Sequence, residues 1–396
     1  MKYIYKYTFI ELSRFFLALL ILSINVNGPD FFRTKEIFFI LFLCFSCNYG
    51  NYKQLWELLI MISIMLLSAC LNLIIPGSNL SFGSILSNSL GLLYLILLVF
   101  NNDIYKETII KTYLLSATLV AILISSIWII CSIFPLLRDM LVAYFESIKN
   151  EKVAFIMMIR NRKIFKWWVL GVYYGTAPCM IPALGYWLIN RLHKRTYKNL
   201  LLIILLTTSL IFTGARANIL AAGLLIFFYF AYYLIKKKKI SLALLMIVSA
   251  VIAGIIVAYL FLSDKGEASL KAKNLHKLSY KIQFDKDLFR TFFYGWGAGS
   301  MFYSKAYNEW TSLTELTLYE TIRRYGFIST VIIFVFIWFK PLLYLINSKK
   351  GLLAFFPAII LIAYVFVACT NPFLLGSIGF CALLFFNTLF SRELVL

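Results

Sequence analysis

Thr213-Gly214-Ala215-Arg216-Ala217-Asn218 separates two apolar runs, Asn199 to Phe212 and Ile219 to Ile235. The runs read as two membrane helices joined by a short turn. A guanidinium where two such helices meet is costly unless it faces water, protein or an anion. Arg216 is permanently charged and forked, so it can hold phosphate oxygens bidentately. The alternative is an interfacial arginine that snorkels to lipid head groups or caps a helix end. Gly214 and Ala217 beside it leave room for close approach to the backbone.

Working outward, the whole chain shares this apolar character. Its 396 residues are 62% hydrophobic and 18% aromatic, more than a soluble domain can hide. The expected fold is an all-α polytopic integral membrane protein, one transmembrane domain over 1–396. Twelve candidate spans lie at roughly 8–26, 36–48, 55–75, 85–100, 108–134, 167–190, 199–213, 217–235, 240–262, 326–346, 352–369 and 373–390. The second and fourth are short enough to be partly re-entrant. No internal repeat is visible, so a transporter built from duplicated halves gains no support. Met1-Lys2-Tyr3-Ile4-Tyr5-Lys6 runs straight into the first span without a small-residue cleavage site, so no removable signal peptide is expected.

Charge sets the expected orientation. Lys236 to Lys239, the group Arg191, Lys194, Arg195 and Lys198, and the pair Lys349 and Lys350 fall on one side, with both termini. That side is read as cytoplasmic. Two long loops, 135–166 and 263–325, then face outward, and both are also basic. The net charge of +21 in this apolar background points to anionic lipid or a phosphate-bearing substrate, not to nucleic acid.

The outer loops carry structure of their own. Leu137, Met140, Leu141, Tyr144, Phe145 and Ile148 recur at helical spacing, as in an amphipathic helix on a membrane surface. Leu275, Leu278 and Ile282 make a partial stripe over 270–284. Arg160, Arg162, Lys163 and Lys166 form a basic cluster before the interfacial pair Trp167 and Trp168. They either anchor head groups or send Arg160 to a substrate diphosphate. Tyr294-Gly295-Trp296-Gly297-Ala298-Gly299-Ser300 places three glycines at alternate positions, a weak phosphate-loop signal without a strand–turn–helix context.

Thr314 and Thr317 mark a helix start near the exit of the second loop. Glu315 and Glu320 are two of few acids there. A carboxylate so placed either acts as a base with a raised pKa or balances Arg323 and Arg324. Glu320, four residues before Arg324, has the spacing of the second role. His193 reads as solvated and His276 as a minor candidate for catalysis. Cys44-x-x-Cys47 lies in an apolar run with no second pair. No metal site, cofactor or disulfide framework is expected.

These motifs, in this order, resemble the bacterial O-antigen polymerase and O-antigen ligase superfamily of membrane glycosyltransferases. Thr213-Gly214-Ala215-Arg216 is similar to that family's Thr-Gly-Ser-Arg turn. Gly295-Trp296-Gly297-Ala298-Gly299-Ser300 resembles its Gly-x-Gly-x-Gly stretch, and Thr314 through Gly326 its loop-exit helix. Thr370-Asn371-Pro372-Phe373 resembles an Asn-Pro turn of polymerases, and Arg160 stands in an arginine–glycine pattern with Gly171. Ligases carry a histidine where this chain has Glu315, which favours the polymerase branch.

The resemblance implies a GT-C-like, metal-independent glycosyltransferase in a bacterial inner membrane. Donor and acceptor would be oligosaccharide units on undecaprenyl diphosphate, polymerised at the outer face into O-antigen or a related polysaccharide. A partner protein could set chain length. Arg216 would bind the diphosphate, with Arg160, Arg290 and Arg323 as further cations. Glu315 would be the base or orient the acceptor, and Gly214, Gly295, Gly297 and Gly299 would let the substrate approach the backbone. The alternatives are a ligase or a lipid-linked oligosaccharide flippase.

Overall fold

The computed structural model describes residues 2–26, 33–50, 55–74, 91, 93–150, 157–164, 167–239, 241–242, 267–297, 299–311, 316–339, 342, 352–369 and 374–391. These are overwhelmingly helical. Among the described residues, three helices are long and apolar enough to cross a membrane: Thr8–Asn25, Asp103–Ile133 and Arg216–Lys236. Five shorter apolar helices accompany them.

The helices in chain order are α1 (Lys2–Asn25), α2 (Thr34–Ser46), α3 (Leu55–Ile74), α4 (Asp103–Ile133), α5 (Pro135–Asn150), α6 (Met180–His193), α7 (Tyr197–Phe212) and α8 (Arg216–Lys236). After them come α9 (Glu267–Asp285), α10 (Leu288–Phe293), α11 (Thr317–Tyr325), α12 (Phe327–Phe334), α13 (Leu352–Cys369) and α14 (Ser377–Ser391). Two antiparallel hairpins join them, β1 (Met157–Ile164) with β2 (Trp167–Tyr174) and β3 (Phe302–Ser304) with β4 (Glu309–Thr311).

Helix α4 is the mast of the bundle. Asn102 caps it by accepting from the amides of Ile104 and Tyr105. Its 31 residues extend about 46 Å at the α-helical rise, more than a bilayer core needs. Polar contacts set its neighbours. The Ser13 and Tyr105 hydroxyls meet at 2.9 Å, and Asn25 donates to Ser116 Oγ at 2.9 Å. Both pairs advance together along the chain, so α1 and α4 run parallel. Tyr113 stacks on Phe385 at 4.2 Å, and Thr388 reaches Asn101 at 3.2 Å, which sets α14 antiparallel to α4. A Cβ on Gly185 would fall 2.4 Å from the Ile360 side chain, so glycine lets α6 and α13 close up.

Several expectations change here. The candidate span 167–190 is not one helix: 167–174 is strand β2, and α6 begins only at Met180. The run Trp167-Trp168-Val169-Leu170, rich in aromatic residues, pairs with β1 instead of forming the start of a helix. An all-α description therefore omits two small sheets. Within the candidate span 85–100, Tyr94–Phe100 is a 3₁₀ helix. The candidate span 326–346 passes from α12 into a π-helical turn, Val335–Phe339. The ninth candidate span lies almost wholly outside the described residues.

The amphipathic helix expected in the first outer loop forms as α5. Leu136, Leu137, Met140 and Tyr144 are exposed along it, while Leu141, Val142 and Phe145 pack on the core. In α9 the expected stripe faces the wrong way. Leu278 and Ile282 are exposed, and the buried face is His276, Ser279, Tyr280 and Gln283. That face is polar because it packs on a polar loop structure, described next.

Candidate functional site

The turn before α8 is built by its own side chains. Thr213 Oγ1 donates to the Leu210 carbonyl at 2.6 Å and accepts from the Ala215 amide and the Asn218 side chain at 3.2 and 3.1 Å. Gly214 takes φ +61°, a left-handed geometry that reverses the chain within one residue. Arg216 is thus the first residue of α8, half-buried, at the positive end of a helix macrodipole. Two positions on, Asn218 Oδ1 is buried and has no hydrogen-bond partner among the described residues.

The β1–β2 hairpin lies against this turn. Arg160 pairs directly with Gly171 across the hairpin, so their spacing in the sequence becomes one rung. A Cβ on Gly171 would sit 3.3 Å from the Thr213 carbonyl oxygen, 3.4 Å from Gly214 Cα and 3.5 Å from the Arg160 carbonyl oxygen. Only hydrogen on Gly171 allows contact this close without displacement. The rest of the hairpin is pinned by Trp128 of α4, which donates to the Leu170 carbonyl at 3.0 Å and stacks on Phe212 at 4.0 Å and 3°. The structure therefore joins the Arg160 and Arg216 segments at one junction. Arg160 is exposed there.

Arg323 and Glu320 belong to a different arrangement. Arg323 has no exposed surface; its Nη2 meets Glu320 Oε1 at 2.5 Å, Nε meets Oε2 at 3.1 Å, and Nη1 donates to the Ser300 carbonyl at 2.6 Å. Arg324 Nε reaches the same Glu320 Oε1 at 2.6 Å, and the Tyr280 hydroxyl donates to Oε2 at 2.7 Å. Burial alone would raise the Glu320 pKa. The two guanidinium groups and the hydrogen bonds from Arg323 and Tyr280 overcome it and hold the group at about 2. A carboxyl so acidic is a poor base at neutral pH, and Arg323 is turned inward. Both serve as a charged strut between α9, the Gly-rich segment and α11.

The glycines at 295 and 297 close that strut. Gly295 and Gly326 are both left-handed, at φ +69° and +83°, and a Cβ on Gly295 would fall 2.5 Å from the Gly326 nitrogen. The amides of Trp296 and Gly297 donate to the carbonyls of Arg323 and Arg324 at 2.6 and 3.0 Å, capping the end of α11. Ser68 of α3 donates to the carbonyls of Tyr294 and Arg324 as well. Those two amides thus serve a helix end, not a phosphate. Gly299 is buried in the same segment. Arg290 is also buried, its guanidinium 4.4 Å over the Trp296 ring and its Nε donating to the Gly295 carbonyl at 3.3 Å. His276 meets Ser304 at 3.2 Å and Tyr307 edge-on, inside the loop structure.

Thr317 ties α11 to the end of α13 through the Ala368 carbonyl at 3.2 Å. Glu315, Thr314 and Thr370-Asn371-Pro372-Phe373 lie outside the described residues. Of the predicted site residues, Arg160 pairs with the Gly171 backbone that packs on Gly214, two residues before Arg216, whereas Arg290, Arg323, Gly295 and Gly297 build the strut. The sequence reading missed Gly171 as a packing surface and Thr213 as the organiser of the turn. A hydroxyl just before Gly-x-Arg was the visible signal for the latter. No family model, curated protein or solved structure matches the chain.

Proposed function

We propose that this chain polymerises oligosaccharide units carried on a polyprenyl diphosphate, at a membrane surface. The observation that carries the reading is the packing of the Arg160–Gly171 rung on Thr213–Gly214, directly ahead of Arg216. It brings the backbone of two distant arginine-bearing segments together beside a helix N-terminus. That is an arrangement suited to an anionic leaving group.

In the proposed reaction an acceptor sugar hydroxyl attacks the anomeric carbon of the donor unit. The C–O bond to the lipid diphosphate breaks, and the diphosphate leaves with the electron pair. Arg216 and Arg160 stabilise the charge as it develops. The acceptor proton passes to a base, for which Glu315 is the proposed residue. The Asn218 side-chain amide ties the first turn of α8 by donating to Thr213 Oγ1, and its buried carbonyl oxygen is an acceptor two residues from Arg216. The exposed apolar face of α5 would seat the hairpin at the lipid surface.

The test is a glycan ladder from cells lacking the protein, restored with wild type or with Arg216→Ala. A polymerase gives single units in the null strain, a full ladder with wild type and single units with Arg216→Ala. Polymer stranded on its carrier lipid in the null strain would instead mean a ligase. Lipid-linked units retained on the cytoplasmic face would mean a flippase.

A further inference from the structure

A second site lies at the opposite end of α6, α7 and α8 from the Gly214 turn. There the last turn of α6, the first of α7 and the last of α8 enclose a cavity of about 310 Å³. Its walls are apolar and aromatic, with Leu188, Ile203, Tyr229 and Tyr233 among them, and Arg191 and Arg195 stand at its mouth. The Arg195 guanidinium lies 4.8 Å over the Tyr233 ring, and Arg191 Nη1 donates to the Thr196 carbonyl at 3.3 Å. Both arginines are thus held in place at the opening.

Among the described residues, the charged side chains that line this cavity, Arg191 and Arg195, are both cations. Lys194 and Lys198 flank the arginines, and Lys236 to Lys239 end α8. The two basic groups converge in space, because Arg195 lies over Tyr233, three residues before Lys236, and both line the cavity; burial and the Lys236 ammonium accordingly push His193 below the ordinary histidine range. Between Glu151 and Asp264 the sequence contains no carboxylate. The negative ends of α6 and α8 offset a fraction of this charge, about half an electron each. An apolar slot between helices, ringed by cations at the membrane surface, is complementary to one class of molecule.

We infer that the cleft between the ends of α6, α7 and α8 binds an anionic phospholipid, its phosphodiester on Arg191 and Arg195 and an acyl chain along Leu188, Ile203 and Tyr229. The forked guanidiniums take the non-bridging oxygens, and the Tyr233 ring keeps Arg195 over the slot. The site is independent of the proposed glycosyl transfer. It lies at the other end of the same three helices.

The experiment is lipid binding to the purified full chain in nonionic detergent, read by native mass spectrometry and by thermal unfolding. Phosphatidylglycerol is compared with phosphatidylcholine of the same acyl chains, and with inorganic phosphate. The readout is the ratio of the two lipid affinities within each variant, so a variant that is only less stable lowers both alike. Wild type should favour phosphatidylglycerol, and Arg191→Gln/Arg195→Gln should reduce that preference about thirtyfold, roughly fivefold per cation removed. Lys271→Gln/Lys277→Gln on α9, which removes the same charge elsewhere, should leave the preference unchanged. Equal loss in the α9 variant would overturn the site in favour of diffuse attraction. Equal stabilisation by inorganic phosphate would overturn the lipid, and no preference in wild type would overturn both.

Discussion

Replacing Glu320 by glutamine tests whether the loop-exit acid is a strut or a chemical participant. The carboxylate is buried and accepts from Tyr280, Arg323 and Arg324. Its pKa falls from 4.5 to about 2, a preference for the charged form of about 3 kcal/mol at ~1.4 kcal/mol per unit. Glutamine removes that charge and points an amide hydrogen at a guanidinium. Arg323, with no exposed surface, is left as a buried cation. Removing one member of a buried ion pair costs about 3–5 kcal/mol, and the two routes agree in size. Because the folded pKa is depressed, the contribution is complete above the unfolded value near 4.5 and is lost as pH falls through about 2. The wild-type loop should therefore keep this stabilisation throughout the neutral range. Thermal unfolding in detergent, with limited proteolysis of the 267–325 loop, reads the effect. Glu320→Gln should become protease-sensitive at temperatures where wild type resists. A Glu320→Gln protein as stable as wild type but unable to make polymer would refute the reasoning and return Glu320 to the chemistry.

Three further substitutions, at two glycines, probe the backbone contacts. Gly295→Ala puts a Cβ 2.5 Å from the Gly326 nitrogen and 2.7 Å from the Arg324 carbonyl, at φ +69°, and backbone atoms cannot yield. Strain of about 1–3 kcal/mol adds to the clash, so the loop should lose its proteolytic protection while the helical bundle stays folded by circular dichroism. Gly171→Ala meets neighbours at 3.3–3.5 Å, which a shift of a few tenths of an ångström relieves, so polymer should persist. Gly171→Val adds two methyl carbons beyond that Cβ, to a contact already at the van der Waals limit. It should push the hairpin off the Gly214 turn and abolish polymer, as judged by the glycan ladder, with the bundle still folded.

Some of this architecture was plain in the residue pattern. The Thr213–Asn218 turn announced itself because polar residues and a glycine broke two apolar runs. Helix α5 followed from helical spacing of Leu137, Met140, Leu141, Tyr144 and Phe145 beside charges. The Glu320–Arg324 pairing followed from a spacing of four. The hairpin was hidden for a physical reason. Trp167 to Tyr174 is as apolar as the start of a span, and periodicity cannot separate a short apolar strand from a buried helix. The cue lay in composition: aromatic and β-branched residues, then Gly175-Thr176-Ala177-Pro178, which ends a strand before α6. The buried face of α9 was hidden because the partner surface is polar. His276, Ser279, Tyr280 and Gln283 share a face at helical spacing, but only the Glu320 carboxylate and Ser304 explain why it turns inward. The glycines at 295 and 297 looked like a substrate loop because close approach is what they permit, and the backbone that approaches is that of α11.

The most direct measurement places the purified protein in vesicles with a synthetic polyprenyl-diphosphate oligosaccharide. Product length and released polyprenyl diphosphate are followed together. As a polymerase, wild type should extend the glycan and release one diphosphate per bond formed. Arg216→Ala and Arg160→Ala should each cut the rate by about a hundredfold or more, the scale on which a lost charge-stabilising group acts. Transfer of the intact lipid across the bilayer without bond formation would contradict the polymerase, and extension by Arg216→Ala at the wild-type rate would contradict the role of Arg216.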